Sequence, residues 1–376
     1  MAFYNTTLSQ SLDDRYYKYS EIREIYRNQT NQIQTIGANS FGALGDNTAV
    51  DRSFSSIGTI PGNWIRVSSG QWAGPNGGIN YAGSLWTWGA NDYGALGHNN
   101  TTHRSSPVQV GSSKWTAISC NRYNTAAIRS DGGLFIWGDN TGGQLGQADR
   151  THRSSPVQVG TSSWTSVSIG ESHAVAIRSD GTLWSWGGNT NGQLGVGDNA
   201  SRSSPVQIGS GNSWIFIAAG IRHSYAIRSD YTLWSWGWGS NYQLGDNTNI
   251  SRSSPVQVTA SDSTVSFVQV SSDDHTLALS TSGRVYAWGQ NQYGQCGLGV
   301  ANSYVTLPSP INILGAYTQV QSGGVGSTIL RSDGAAFWFG IAPYMDDGQA
   351  SSPVQIGALK YRSLSQSALV LLLLKE

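Results

Sequence analysis

The chain has 376 residues, of which only 12% are charged, and its 22 Lys and Arg balance 22 Asp and Glu. With no net field, it lacks the bulk electrostatics that nucleic-acid binding through phosphates or docking on anionic lipid requires. The 47 Gly and 15 Trp point instead to many tight turns around bulky aromatic packing. Cys120 and Cys296 are far apart and form no Cys-x-x-Cys pair. They read as small buried hydrophobes, not as a disulfide framework or zinc site. The N-terminus lacks a basic stretch followed by an apolar run, so no signal peptide is expected. The apolar run Ala368–Leu374 is too short to span a bilayer, so no membrane insertion is expected.

In chain order, residues 1–27 come first and stand outside any repeat. Ser11 can cap a helix whose first turn carries Asp13 and Asp14. Tyr16, Tyr19, Ile22 and Ile25 then recur at threes, which predicts a short amphipathic arm able to dock on a partner. Residues 28–376 are expected to form a second, larger unit.

That unit is repetitive. In the segment beginning Ser172-His173-Ala174-Val175-Ala176-Ile177-Arg178-Ser179-Asp180-Gly181, a chain of short β-rich runs ends in Trp184-Ser185-Trp186-Gly187. Gly192-Gln193-Leu194-Gly195 and Arg202-Ser203-Ser204-Pro205 follow. Equivalents of Trp186 stand at Ile36, Trp88, Trp137, Trp236, Trp288 and Phe339, 49–52 residues apart. His173–Arg178 and Thr182–Trp186 read as strands joined by a Ser-Asp-Gly hairpin, with a strand before and a Pro-bearing edge strand after. Four strands at this period predict an all-β propeller of seven blades. The C-terminal Tyr361–Ser365 and Ala368–Leu374 begin a unit that lacks its Trp-Gly half, and residues 28–45 supply such a half. One blade is therefore expected to be shared by both termini, which removes an open sheet edge.

These motifs resemble the regulator of chromosome condensation repeat family over roughly residues 28–374. The match is close through Ile169–Ala176, Trp186-Gly187 and Gly192–Gly195. The resemblance implies the seven-bladed propeller. Family members include nucleotide exchange factors for small GTPases, parts of ubiquitin ligases, and bacterial and viral proteins. The near-identical Arg-Ser-Ser-Pro segments at 104, 153, 202 and 252 resemble the low-divergence repeats of phage and bacterial surface proteins.

No nucleophile elbow or phosphate-binding loop is present, so no catalytic residue, metal or cofactor is expected. His173, His223 and His275 share one register and read as hydrogen bonds at strand starts. Arg129, Arg178, Arg228 and Arg331 each precede an Asp by two residues and read as hairpin-end pairs. Asp273-Asp274 reads as a solvated loop pair. Candidate binding residues are departures from the repeat: Trp72, Tyr231, Trp238, Tyr242, Tyr344, Asp346 and Asp347. Such aromatics can stack on a sugar or peptide. The expected function is a non-enzymatic interaction propeller of a phage particle, a tail, fibre or decoration protein at the virion surface. Its expected partners are virion proteins and a surface glycan or receptor. The alternative is a cytoplasmic guanine-nucleotide exchange regulator of a small GTPase.

Overall fold

The computed structural model describes residues 32–52, 58–71, 74–260, 262, 264–301, 304–341, 349–356, 361–366 and 370–375. The chain is a β-propeller of four-stranded antiparallel blades. Six blades are each built from one continuous stretch, numbered here in chain order. Their first strands are Trp64–Ser69, Trp115–Cys120, Trp164–Ile169, Trp214–Ala219, Phe267–Ser272 and Tyr317–Gly323, and residues from all six line one central channel. Their last strands are Arg104–Gln109, Arg153–Gln158, Arg202–Gln207, Arg252–Val258, Tyr304–Pro310 and Gln349–Gln355. The expected seventh unit is not continuous. Gly58–Ile60 and Ile33–Gly37 pair with Val370–Lys375 and Tyr361–Gln366 to make a further four-stranded sheet from both ends of the chain. This composite sheet lies against blade 1 on one side and blade 6 on the other. The arm, residues 1–27, lies outside the described residues.

The seams between blades explain why the repeat is so uniform. The Trp before the glycine at this register, Trp88, Trp137, Trp186, Trp236 or Trp288, is fully buried, and four of the five bond back into the preceding unit. The Nε1 of Trp88 donates to the Ala43 carbonyl (3.1 Å), that of Trp186 to Gln144 (2.9 Å), that of Trp236 to Gln193 (2.9 Å) and that of Trp288 to Gln243 (2.7 Å). The loop of that preceding unit turns on a glycine at positive φ, Gly94, Gly143 or Gly192. A Cβ on Gly143 would lie 2.8 Å from the Cα of Ser203, and one on Gly192 2.7 Å from the Cα of Ser253. Each Arg-Ser-Ser-Pro strand is therefore held to small residues by the glycine of the unit before it. Blade 4 tests the rule. There Tyr242 takes the glycine register, and the facing strand of blade 5 reads Val305-Thr306-Leu307-Pro308 in place of Arg-Ser-Ser-Pro; Tyr242 packs on Tyr304, just before that run, with the two rings 5.5 Å apart.

Inner strands are tied in the same way. Ser68, Ser119 and Ser168 each accept, at Oγ, a backbone N–H from the next blade: Cys120 (2.9 Å), Ile169 (3.3 Å) and Ala219 (2.9 Å). Ala218 in blade 4 has no hydroxyl to continue the series, and Ser271 resumes it by accepting the Ser322 N–H (3.0 Å).

Gly192→Ala should therefore destabilise the fold by at least about 1–2 kcal/mol, the cost of a left-handed backbone alone. Urea unfolding reads this directly, and an unchanged midpoint would contradict the close-approach account of the seam.

Candidate face at the channel mouth

Each blade turns from its first to its second strand at one end of the channel, and these turns form a ring. They contain Gly70-Gln71, Asn121-Arg122-Tyr123, Gly170-Glu171-Ser172, Gly220-Ile221-Arg222, Asp273-Asp274 and Gly324-Val325. Neighbouring turns bond to one another. Asn121 Nδ2 donates to the Gly170 carbonyl, the Glu171 N–H to the Ile221 carbonyl (3.2 Å), and the Gly324 N–H to Asp273 Oδ2 (2.8 Å). Arg222 pairs with Glu171 across a seam at 3.4 Å.

Asp273 is not the solvated loop residue its sequence context suggests. It is 3% exposed, lines the channel, and leaves Oδ1 without a hydrogen-bond partner. Burial, reinforced by Asp274, pushes its carboxyl up to about 7 against hydrogen bonding from Gly324 and Gln71. Burial also raises Asp274.

The three histidines of one register sit just behind this ring, fully buried, and join blades. Their Nε2 atoms bond hydroxyls of the next blade: His173 to Ser224 (2.9 Å), His223 to Ser272 (2.6 Å) and His275 to Ser327 (2.5 Å). Each is a seam contact, not only a strand-start one. Among the described residues no group of three or more His, Cys, Asp or Glu is placed to hold a metal.

Outward from the mouth, the same end carries an aromatic group that the repeat pattern did not single out. Tyr93 lies 5.1 Å from Tyr123 and 5.0 Å from His152, and the Arg122 guanidinium covers Tyr123 at 4.8 Å. The available signal was an aromatic before the loop glycine matched by a His in the next unit, since Phe41 and His103 (4.6 Å) repeat the arrangement. Trp238 is also at this end, its N–H donating to the Arg222 carbonyl (2.9 Å). Tyr242 is in the same loop. Tyr231 is at the other end of blade 4, in a hairpin at φ 65° where blades 1, 2, 3, 5 and 6 have glycine. The sequence candidates thus fall on two faces. Trp72, Tyr344, Asp346, Asp347 and the arm residues Tyr16, Tyr19, Ile22 and Ile25 lie outside the described residues.

The regulator of chromosome condensation (RCC1) repeat matches residues 82–128, 131–177, 180–227, 232–279 and 282–330, well over half the chain. The chain belongs to the RCC1 repeat family. A probable E3 ubiquitin-protein ligase, HERC4 of Rattus norvegicus, is 43% identical over 81 residues, 21% of this chain and 8% of the ligase. A protein RCC2 homolog of Xenopus laevis is 41% identical over 81 residues, 21% of this chain and 15% of that protein. The chain thus matches only a small part of these relatives' length. The crystal structure of Prp20p from Saccharomyces cerevisiae, described with its binding to Gsp1p and histones, superposes with a TM-score of 0.81. It is 18% identical and covers 99% of this chain and 97% of that one. Human WBSCR16 gives 0.81 at 18% identity, covering 93% and 99%.

These findings overturn the expectation of a phage virion component with virion partners. The relatives include rat and frog proteins, and the yeast protein of like fold is described binding Gsp1p, histones and, in a further structure, Kap60. The physical reason for the error lies in the seams. Uniform Arg-Ser-Ser-Pro strands follow from close glycine packing and carry no information about a particle surface. Among the described residues no helix is long and apolar enough to cross a membrane.

Burial holds His173 down at about 4 and His223 and His275 at about 3, whereas unfolded histidine titrates at about 6.5. Below about pH 6.5 the unfolded chain therefore binds protons that the fold refuses, and stability falls on acidification. Asp273 and Asp274 act oppositely. Their raised carboxyls favour the fold below about pH 4, and for Asp273 this is lost as pH rises through about 7. The three histidines outnumber the two acids, so the melting temperature should drop between about pH 6.5 and 4. Asp273→Asn should raise it at pH 8 and leave it unchanged at pH 4. Equal effects at both pH values would place the Asp273 carboxylate in solvent.

Proposed function

We propose that the chain is a non-enzymatic RCC1-type propeller that docks a small GTPase on the channel-mouth face and promotes release of its guanine nucleotide. The observation that carries this reading is where the repeats differ. Hairpins at the far end read Ser-Asp-Gly or close to it in blades 2, 3, 4 and 6. Mouth turns differ in every blade, placing Arg122, Glu171, Arg222 and Asp274 at distinct stations around the ring. A ring of identical units cannot discriminate among orientations of an asymmetric partner, whereas distinct charges around it fix one orientation. Family membership supports the choice of partner class, as does the likeness to Prp20p, which is described binding Gsp1p.

We also propose that the composite sheet is a seventh blade that closes the ring, which would hold the mouth turns in fixed positions. The pairing of Ile33–Gly37 with Val370–Lys375 supports this, as does the bond from the Tyr361 hydroxyl to Gln34 Oε1 (3.1 Å).

The test is release of a fluorescent guanine nucleotide from a panel of purified small GTPases. Saturable acceleration is expected with at least one of them. Arg222→Ala and Trp238→Ala should slow it by roughly tenfold or more without shifting the unfolding midpoint. Absence of acceleration across the panel, or variants as active as the parent, would overturn the assignment.

A further inference from the structure

At the end opposite the mouth, one residue decides what each hairpin arginine does. Blades 2 and 6 read Ser-Asp-Gly-Gly (130–133) and Ser-Asp-Gly-Ala (332–335), with no hydroxyl in the fourth place. There the Asp takes the preceding Arg in a two-pronged pair. Arg129 Nε and Nη2 reach Asp131 Oδ2 at 2.9 and 2.6 Å, and Arg331 Nε and Nη2 reach the two Asp333 oxygens at 2.9 and 2.8 Å. Blades 3 and 4 have Thr in that place. Thr182 Oγ1 donates to Asp180 (2.6 Å) and Thr232 Oγ1 to Asp230 (2.7 Å), while each hydroxyl accepts an indole N–H from Trp184 or Trp234.

The threonines thus divert the acids. Arg178 instead lies 3.5 Å from the Trp184 ring centre and 5.0 Å from that of Trp164; Arg228 lies 4.4 Å from Trp234 and 4.7 Å from Trp214. The Nε of both is buried without an acceptor, and among the described residues neither arginine forms an ion pair with an acid. Burial pulls the Arg178 guanidinium down from its usual range, against the attraction of Asp180.

Each arginine lines a groove at a blade seam. One groove, between blades 3 and 4, is walled by Val196, Trp214 and Pro255 with Gly209 and Gly211 along its edge; the other, between blades 2 and 3, repeats it with Trp164, Gly160 and Pro205. Nothing stands within 4 Å of the position a Cβ would take on Gly160 or Gly209, so main-chain groups are open to a second chain there.

We propose that these two grooves bind an extended acidic segment of a partner protein, a ligand carboxylate pairing with the guanidinium of Arg178 or Arg228. Charge complementarity selects the ligand: a stacked guanidinium held flat, and not directly paired with the acid beside it, matches a carboxylate. The apolar wall and open glycine backbone favour a peptide over a free anion. The site is separate from the mouth face and does not depend on the GTPase reading.

Fluorescence anisotropy of the full chain with a labelled decapeptide of alternating Asp and Val tests this. The peptide should bind, and its Asn–Val counterpart should bind about tenfold more weakly or worse. The double variant T182A/T232A keeps both arginines but returns the acids to them, and should weaken the Asp–Val peptide by about tenfold with the unfolding midpoint retained. No binding, equal binding of the two peptides to the parent chain, or undiminished binding by a folded T182A/T232A would overturn the proposal. The comparison of two peptides on the parent chain decides the matter even if the variant fails to fold.

Discussion

Everything in this ring depends on an indole that reaches backward. Trp88, Trp186, Trp236 and Trp288 each close a hydrogen bond on a loop of the unit before them, so these blades do not complete their cores alone. The loop it reaches must turn tightly, which requires a left-handed glycine, and that glycine brings the neighbouring strand too close for any large residue. One contact therefore fixes three features of the repeat at once: the Trp, the glycine loop and the Arg-Ser-Ser-Pro strand. Serine and histidine bonds add polar ties along the same seams.

Because the seams consume the residues that repeat, recognition is left to those that do not. The mouth turns are short, bonded to one another and held by strands on both sides, so the charges they carry are placed with little conformational freedom. Such placement reduces the ordering cost of binding a partner. The opposite end shows a different economy. A single Thr for Gly or Ala after the hairpin frees an arginine from its acid, so a minor change in the repeat converts a closed ion pair into an available cation.

The period, the strand count per unit and the composite nature of the terminal sheet were legible because they rest on local pattern and on which half-unit each end lacks. Partners across a seam were not. His173 and Ser224 are about one repeat apart, and nothing in local sequence says that a ring nitrogen in one blade meets a hydroxyl in the next. Asp273 stands beside a second acid in a turn, which normally signals exposure, yet the ring geometry turns it into the channel. Tyr242 looks like a departure offered to a ligand until Tyr304 is seen to pack against it across the seam. The functional inference failed for a related reason: repeat uniformity reports packing, and packing says nothing about where a protein works.

On the reading proposed here, the asymmetric channel mouth, not the repeated scaffold, receives the partner. Hydrogen–deuterium exchange of the full chain, with and without a small GTPase that it stimulates, tests this most directly. Protection is expected in the turns at 121–123, 170–172 and 220–222 and in the 238–242 loop, with the hairpins at 179–182 and 229–232 unchanged. Protection confined to those hairpins, with the mouth turns exchanging as in the free protein, would contradict the account.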